Sequence, residues 1–314
     1  MIATVTLNPS IDRQLLLDDL AIGEVNRAEL DQIHPGGKGV NVSRALKSFG
    51  VKTFAILVGA SLGGRWFDEQ LTALDIDHEV IITSGVTRSN LTIVERDGTV
   101  TKINEQGFTI TPEILNEVRT ALSNLNLKDQ WVVFAGRLNQ GAPSDTYLHL
   151  AQHARALGAR VAIDASDVEL SDSLWSDGPD LIKPNQHELA SIVGRELATI
   201  HDVIDASREI ISRGVKAVLC SLGADGAVYV TANQVVHAEP AHPVNGVPVG
   251  AGDIMLATFL GDGANADALP NAVAWSAASV ALPGTSIPTP AQAAAVEVLV
   301  HTDLQAGRTL VEVS

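Results

Sequence analysis

The sequence predicts an α/β fold: a mostly parallel sheet covered by helices on both faces, with a small accessory β-sheet projecting from it. Three observations carry that expectation. Short β-branched runs alternate with longer amphipathic segments through most of the chain, and such alternation needs crossover connections that lay helices on both faces of a parallel sheet. Two regions break the rhythm, with strand-like stretches and no helix between them. The 314 residues are 46% hydrophobic and 18% charged, a composition that builds a core and does not suggest disorder.

Ile2 to Leu7 reads as the first strand, and Lys38 to Phe49 as a helix ending at Gly50. Lys52 to Val58 is again strand-like, followed by a helix around Arg65 to Leu74. The alternation continues with Pro112–Leu125 (helix), Trp131–Ala135 (strand), Ser144–Leu157 (helix) and Arg160–Asp164 (strand). A short strand at Asp180–Ile182 follows, and helix His201–Arg213 feeds strand Lys216–Ser221. Ala272–Ala281 reads as a helix rich in small residues. The interruptions are Ile11–Leu17 with Arg27–Ile33, and Ser89–Glu95 with Thr99–Asn104. The second pair turns at Asp97-Gly98, a strong hairpin signal, and polar and apolar residues alternate in both, which predicts one solvated face. No internal repeat or Pro/Gly-rich linker interrupts the chain, so residues 1–314 read as a single domain, with accessory strands from about 11–34 and 88–105.

The formal net charge is −16, from 37 acidic and 21 basic side chains. Nucleic acid is an unsuitable partner for that balance, because phosphate recognition needs a basic footprint. A small anion remains compatible, since a few local cations and helix N-termini can bind one. The lone cysteine, Cys220, excludes an intramolecular disulfide and sits in an apolar strand. The N-terminal segment lacks the basic start and long apolar core of a signal peptide, and no apolar run is long enough to span a bilayer. A cytoplasmic protein is the expectation.

Four local patterns could carry chemistry. Gly250-Ala251-Gly252-Asp253 precedes the apolar helix Ile254–Leu260. Small residues at a helix start leave backbone N–H groups open to an anion, and a carboxylate there could accept a proton from an attacking hydroxyl; the plainer reading is that Asp253 caps its helix. Gly36-Gly37-Lys38-Gly39-Val40-Asn41 opens a helix with glycines that permit close approach, but Lys38 is followed by Gly39, which excludes a Walker-type loop. In Lys183-Pro184-Asn185-Gln186-His187-Glu188, Asn185 and Glu188 could order hydrated Mg²⁺ beside phosphates, or form a capping box. Ser221-Leu222-Gly223-Ala224-Asp225-Gly226 is a glycine turn after an apolar strand.

Taken together, the order and spacing of these four patterns resemble the ribokinase-like carbohydrate kinases, over Thr6 to about Thr289. Thr6-Leu7-Asn8-Pro9-Ser10-Ile11-Asp12, Thr87-Arg88-Ser89-Asn90 and Pro283-Gly284-Thr285-Ser286-Ile287-Pro288 resemble the phosphofructokinase branch, especially 1-phosphofructokinase and tagatose-6-phosphate kinase. The resemblance implies a Rossmann-like core with a small β-sheet lid. It implies Asp253 as base, Gly250, Ala251 and Gly252 as the anion hole, and Asn185 with Glu188 near Mg²⁺. ATP would lie against Ser221, Gly223, Gly226, Gly284, Lys183 and Asn185. The sugar phosphate would meet Asp12, Gly37, Lys38, Asn41 and Arg88. A homodimer formed lid to lid, with Arg27 near the partner's site, is also implied. The chain departs from the branch at Ala135-Gly136-Arg137-Leu138-Asn139, where Ser-Gly-Ser-Leu-Pro is usual. It departs again at Pro248, where Thr is usual, and at Ile254, where Ser is usual. Arg137, a planar fork of donors at the place of a small hydroxyl, becomes a candidate phosphate contact, or else turns outward to solvent or a surface carboxylate.

These residues lead to an expected reaction: ATP-dependent phosphorylation of a sugar phosphate, fructose 1-phosphate to fructose 1,6-bisphosphate before all, with tagatose 6-phosphate or fructose 6-phosphate as alternatives. Three rival readings come from the same sequence. Gly59-Ala60-Ser61-Leu62-Gly63 has the nucleophile-elbow pattern of serine hydrolases, without a downstream histidine in a distinctive setting. A non-catalytic sugar-binding regulator would keep the Gly37–Asn41 site and need not keep Asp253. His149 and His153, four apart on a helix, lack the intervening acid of a metalloprotease and read as a solvated face.

Overall fold

A computed structural model describes residues 1–165, 178–246, 249–282, 284–301 and 308–311; Pro248 and Pro283, singled out above, lie outside them. Numbered in chain order, the strands of the larger sheet are β1 (Ile2–Thr6), β4 (Thr53–Ala60), β5 (Asp77–Thr83), β8 (Trp131–Ala135), β9 (Arg160–Asp164), β10 (Leu181–Ile182), β11 (Ala217–Ser221), β12 (Ala227–Thr231), β13 (Val235–Pro240) and β14 (Val298–His301). They lie in the order β14-β13-β12-β11-β10-β9-β8-β1-β4-β5. Every pair from β11 to β5 is parallel, and β12, β13 and β14 extend the sheet antiparallel. The parallel part and its helices were legible in the sequence. The antiparallel edge and β5 were not; β12 and β13 follow β11 with no α-helix between them, whereas β5 and β14 each follow a helix and were missed as short strands.

Helices α1 (Lys38–Ser48), α2 (Ser61–Ala73), α3 (Pro112–Ser123), α4 (Thr146–Ala156), α5 (Gln186–Val193), α6 (Ile200–Ser212), α7 (Ala251–Gly261) and α8 (Leu269–Val280) cover the two faces. Strand alternation decides which side chain goes to which face. On β8, Val132 and Phe134 join a core with Val118 of α3, Tyr147 of α4 and Val203 of α6. Trp131, Val133 and Ala135 join the opposite core with Leu46 of α1, Phe259 of α7 and Trp275 of α8. α7 is buried from Asp253 to Leu260, as a helix apolar on all sides must be. Ile254, one of the departures noted above, is among these core residues, so its side chain is packing material. The helix expected around Arg65–Leu74 begins earlier, at Ser61, directly off β4.

The accessory strands form a separate four-stranded sheet, β3-β2-β6-β7, from β2 (Ser10–Leu17), β3 (Glu29–Gly36), β6 (Arg88–Glu95) and β7 (Val100–Asn104). β2 pairs antiparallel with β3 and parallel with β6, while β6 and β7 form the hairpin that turns at Gly98. Registered pairing sets His34, Asp12, Asn90 and Asn104 in one row, and Gln32, Gln14, Thr92 and Lys102 in the next. The lid face nearest the main sheet is thus polar by register.

Candidate active site

Parallel strands share one direction, so their carboxyl ends and the following helix starts gather along one edge of the sheet. That edge collects residues named from the sequence together with Asp164, which was not. Asp164 ends β9, Lys183 follows β10, Ser221 ends β11, and Gly136-Arg137 follow β8. Gly37 caps α1 and Gly250 caps α7.

Gly250 adopts a left-handed conformation, φ 75°, which a glycine takes without the steric cost of a side chain. This turn directs the first N–H groups of α7 outward, and its carbonyl accepts from Asp253 and Ile254 at 3.0 and 3.1 Å. At Gly252 the space a Cβ would take lies 3.0 Å from the Lys183 ammonium, so the lysine stands against the opening of the helix. Asp253 itself is buried, and Asn41 Nδ2 donates to its Oδ2 at 2.9 Å. Burial, and then the nearby charge of Asp164, push the Asp253 carboxyl up to about 7; Lys38, the Asn41 bond and Lys183 act the other way.

Asp164 is the organising charge of this edge. It is 1% exposed, with Lys38 Nζ at 2.8 Å from Oδ1 and Lys183 Nζ at 3.2 Å from Oδ2. Burial alone would raise its pKa, but Lys183 and Lys38 outweigh burial and hold it below the usual carboxylate range. Lys38 loses by burial and gains more from Asp164, Glu188 and Asp253, so it stays firmly protonated. Glu188 Oε1 is 3.7 Å from Lys38. The capping box left open above does form: Glu188 N donates to Asn185 Oδ1 at 2.8 Å and Asn185 N to Glu188 Oε2 at 2.9 Å. Ser221 N donates to the Pro184 carbonyl at 3.1 Å, which joins this loop to the turn Gly223–Asp225 and its closing residue Gly226.

Among the described residues no group of three or more His, Cys, Asp or Glu could cage a metal. With Glu188 Oε2 and Asn185 Oδ1 engaged in the cap, Glu188 Oε1 is the oxygen left for a cation. That donor set fits Mg²⁺ held mainly by water and nucleotide phosphates, which is how Mg²⁺ commonly sits.

Across from α7 the lid closes a cavity of about 210 Å³, lined by Asp12, Gln14, His34, Asn90, Lys102 and Thr285 among others. Asp12 Oδ1 accepts from Ser10 Oγ at 2.7 Å and from Asn90 Nδ2 at 3.0 Å, and burial pushes its carboxyl up against those bonds. Gly284 lines this same cavity, near Gln14 and Gln32. Arg88 Nε donates to the Asn8 carbonyl at 3.2 Å. Burial lowers the Arg88 pKa, Asp12 opposes that, and Arg137 lowers it further, so two guanidiniums from the lid and the β8 loop face one region. Arg137 is exposed there.

Two features of the rival readings are also visible. Ser61 stands at the strand-to-helix elbow with φ 45°, yet no histidine or carboxylate among the described residues bonds its hydroxyl. His149 bonds Asp145 and His153 bonds Ser123, each on its own, as a solvated face would have them.

The family model for the pfkB family carbohydrate kinases matches residues 6–292. The chain belongs to that family. It is an ATP-dependent sugar kinase with the ribokinase-like fold. It is 33% identical over 260 residues to the 1-phosphofructokinase of Bacillus subtilis, covering 83% of this chain and 84% of that one. It is 36% identical over 265 residues to the 1-phosphofructokinase of Rhodobacter capsulatus, covering 82% of each. Among solved structures, phosphofructokinase-2 of Escherichia coli in complex with potassium superposes with a TM-score of 0.88 at 27% identity, over 93% of this chain and 96% of that one. The same enzyme with substrates and products gives 0.86 at 26% identity, over 93% and 97%.

Two residues of this candidate site escaped the sequence reading. Asp164 is the carboxylate closing the apolar strand Val161-Ala162-Ile163, and an acid at the carboxyl end of a parallel strand is the signal that could have found it. Arg44 is the basic residue on the otherwise buried inner stretch of α1, three positions after Asn41, and the same spacing argument would have flagged it.

Proposed function

We propose that this kinase transfers the γ-phosphoryl group of ATP to the free primary hydroxyl of fructose 1-phosphate, giving fructose 1,6-bisphosphate and ADP. The observation that carries the reading is the buried Asp253 carboxylate at the N-terminus of α7, bonded by Asn41 and flanked by the Lys183 ammonium. Asp253 accepts the hydroxyl proton as the sugar oxygen bonds to the γ-phosphorus and the bond to the β-bridging oxygen breaks. The N–H groups from Gly250 to Gly252 and the Lys183 ammonium lie where charge on the transferring group develops. A carboxyl poised near neutrality suits that exchange, since it is ionised when the hydroxyl arrives and basic enough to take its proton. Asn185 and Glu188 would hold Mg²⁺ through water, and the ion supplies charge neutralisation on the nucleotide phosphates. Ser221, Gly223 and Gly226 would border the nucleotide.

The sugar lies, on this reading, in the cavity under the lid, with Asp12, Asn41 and the backbone at Gly37 on its hydroxyls. Lys38, Arg88 and Arg137 supply the cations for its phosphate. The 314 residues act as one cytoplasmic kinase domain, paired as a homodimer through the lid with Arg27 toward the partner. The half-exposed Leu30, Ile33 and Ile103 of the lid supply apolar area for that pairing.

The substrate is tested with a coupled ADP-release assay across fructose 1-phosphate, fructose 6-phosphate and tagatose 6-phosphate. The highest kcat/KM is expected for fructose 1-phosphate. A preference for fructose 6-phosphate would move the chain toward the phosphofructokinase-2 structures it superposes on.

A further inference from the structure

We propose that Arg44 is a positioning residue for phosphoryl transfer: through Asn41 it fixes the hydrogen bond that holds the Asp253 carboxylate. The proposal rests on the reading of Asp253 as the base.

One turn of α1 sets Asn41 and Arg44 three positions apart on the same side of the helix. Arg44 Nη1 lies 3.2 Å from Asn41 Oδ1, and Asn41 Nδ2 lies 2.9 Å from Asp253 Oδ2. The chemistry of the three groups leaves one arrangement. A guanidinium only donates, so only the carbonyl end of the Asn41 amide can face it. An ionised carboxylate only accepts, so only the NH₂ end can face Asp253. Were the amide turned over, its oxygen would confront the carboxylate and its NH₂ would confront the guanidinium, two repulsive contacts in a buried place. Arg44 and Asp253 therefore choose the same orientation, and Asn41 transmits it.

The remaining contacts of Arg44 favour such a duty over simple ion pairing. The same Nη1 reaches the Pro35 carbonyl and Thr285 Oγ1, both at 3.4 Å. It thereby ties the end of β3 and the Thr285 loop to α1. Among the described residues no carboxylate comes within 4.0 Å of Arg44, which would define a salt bridge. Asp12 and Asp253 act on its charge from farther away, and burial draws its pKa down. A partly buried guanidinium without a paired carboxylate loses hydration, and an apolar side chain would cover the same ground without that cost. What an apolar side chain could not do is orient the amide.

The test is a double-mutant cycle read through the pH dependence of kcat/KM. Arg44→Met should move the acid limb upward by about 0.5–1 pH unit, the shift one lost hydrogen bond to the carboxylate carries. At a pH below that limb, kcat/KM should fall about threefold to tenfold, the same shift expressed as a fraction ionised. Asn41→Ala should give a similar shift, and adding Arg44→Met to Asn41→Ala should move the limb no further. Arg44→Lys, which keeps a donor within reach of Asn41, should restore part of the shift. If Arg44→Met proves unstable by thermal melting, Arg44→Lys carries the test alone, with a limb between those of the parent enzyme and Asn41→Ala. Additive shifts in the double variant would overturn the relay, since Arg44 would then act by its own charge. An unmoved acid limb in either Arg44 variant would overturn it outright. The reading beneath it is checked separately: if Asp253→Asn keeps near-normal turnover, Asp253 is not the base and the proposal falls with it.

Discussion

Asp164 and Asp253 are two buried carboxylates at one edge of one sheet, and their surroundings drive them in opposite directions. Asp164 closes β9 between two ammonium groups, and its pKa falls in spite of complete burial. Asp253 opens α7 with an amide for its bonded partner, and burial together with the charge of Asp164 raises it to about 7. The two acids share the same lysines, but not equally. By drawing Lys38 and Lys183 to itself, Asp164 spends the available positive charge and leaves Asp253 able to hold a proton near neutral pH. Where the counter-charges sit, and not depth alone, decides which acid stays ionised and which one trades protons.

The comparison can be broken at either acid. Asp253→Asn should retain the fold and lower kcat by roughly 10²–10⁴, the contribution of positioned proton transfer; steady-state kinetics on protein with an unchanged circular-dichroism spectrum checks this. Asp164→Asn should act first on stability. It strands two lysines that are largely covered, and losing one partner of a buried pair costs about 3–5 kcal/mol, measurable as a lower midpoint in urea at pH 7. With Asp164 neutral, the acid limb of kcat/KM should also move to lower pH, because a raising charge beside Asp253 has gone. A third cluster sharpens the contrast. Arg88 and Arg137 bring like charges together, an arrangement that favours an incoming anion. Arg137→Ser should raise KM for the sugar phosphate by about tenfold to a hundredfold, about 1.5–3 kcal/mol for a charged hydrogen bond, with KM for ATP unchanged. An unmoved sugar-phosphate KM would leave Arg88 and Lys38 as the phosphate contacts.

Much of this architecture was readable from local pattern. β8 and β9 fall where the β-branched runs placed them, at Trp131–Ala135 and Arg160–Asp164, and the Asp97-Gly98 hairpin forms between β6 and β7. Asp253, Asn41, Lys38 and Lys183 do converge, and each came from a glycine-rich or helix-opening motif. Asp164 and Arg44 carry no such local mark. Their weaker marks, an acid at a strand end and a base three residues after Asn41, gain force once the order β8-β9-β10 places Asp164 beside the loop after β10 and α1 packs against α7. The capping box at Asn185 was ambiguous for a related reason: the same two side chains serve a helix end and face an open edge, and sequence spacing is identical for both duties. The antiparallel strands β12 and β13, which follow β11 with no α-helix between, lacked the alternation on which the reading of the sheet relied.

The bonds that assemble the site span great lengths of chain: Lys38 and Asp164 are 126 positions apart, Asn41 and Asp253 212. Contacts of such separation form late, because a long loop must be closed before they return any free energy. A chain leaving the ribosome N-terminus first presents Arg44 and Asn41 early, then Asp164 with Lys183 as partner for Lys38, and Asp253 after all of them. The segment that builds α7 completes the charge cluster, and a nascent chain stalled short of it would carry the anchoring residues without the group that takes the proton.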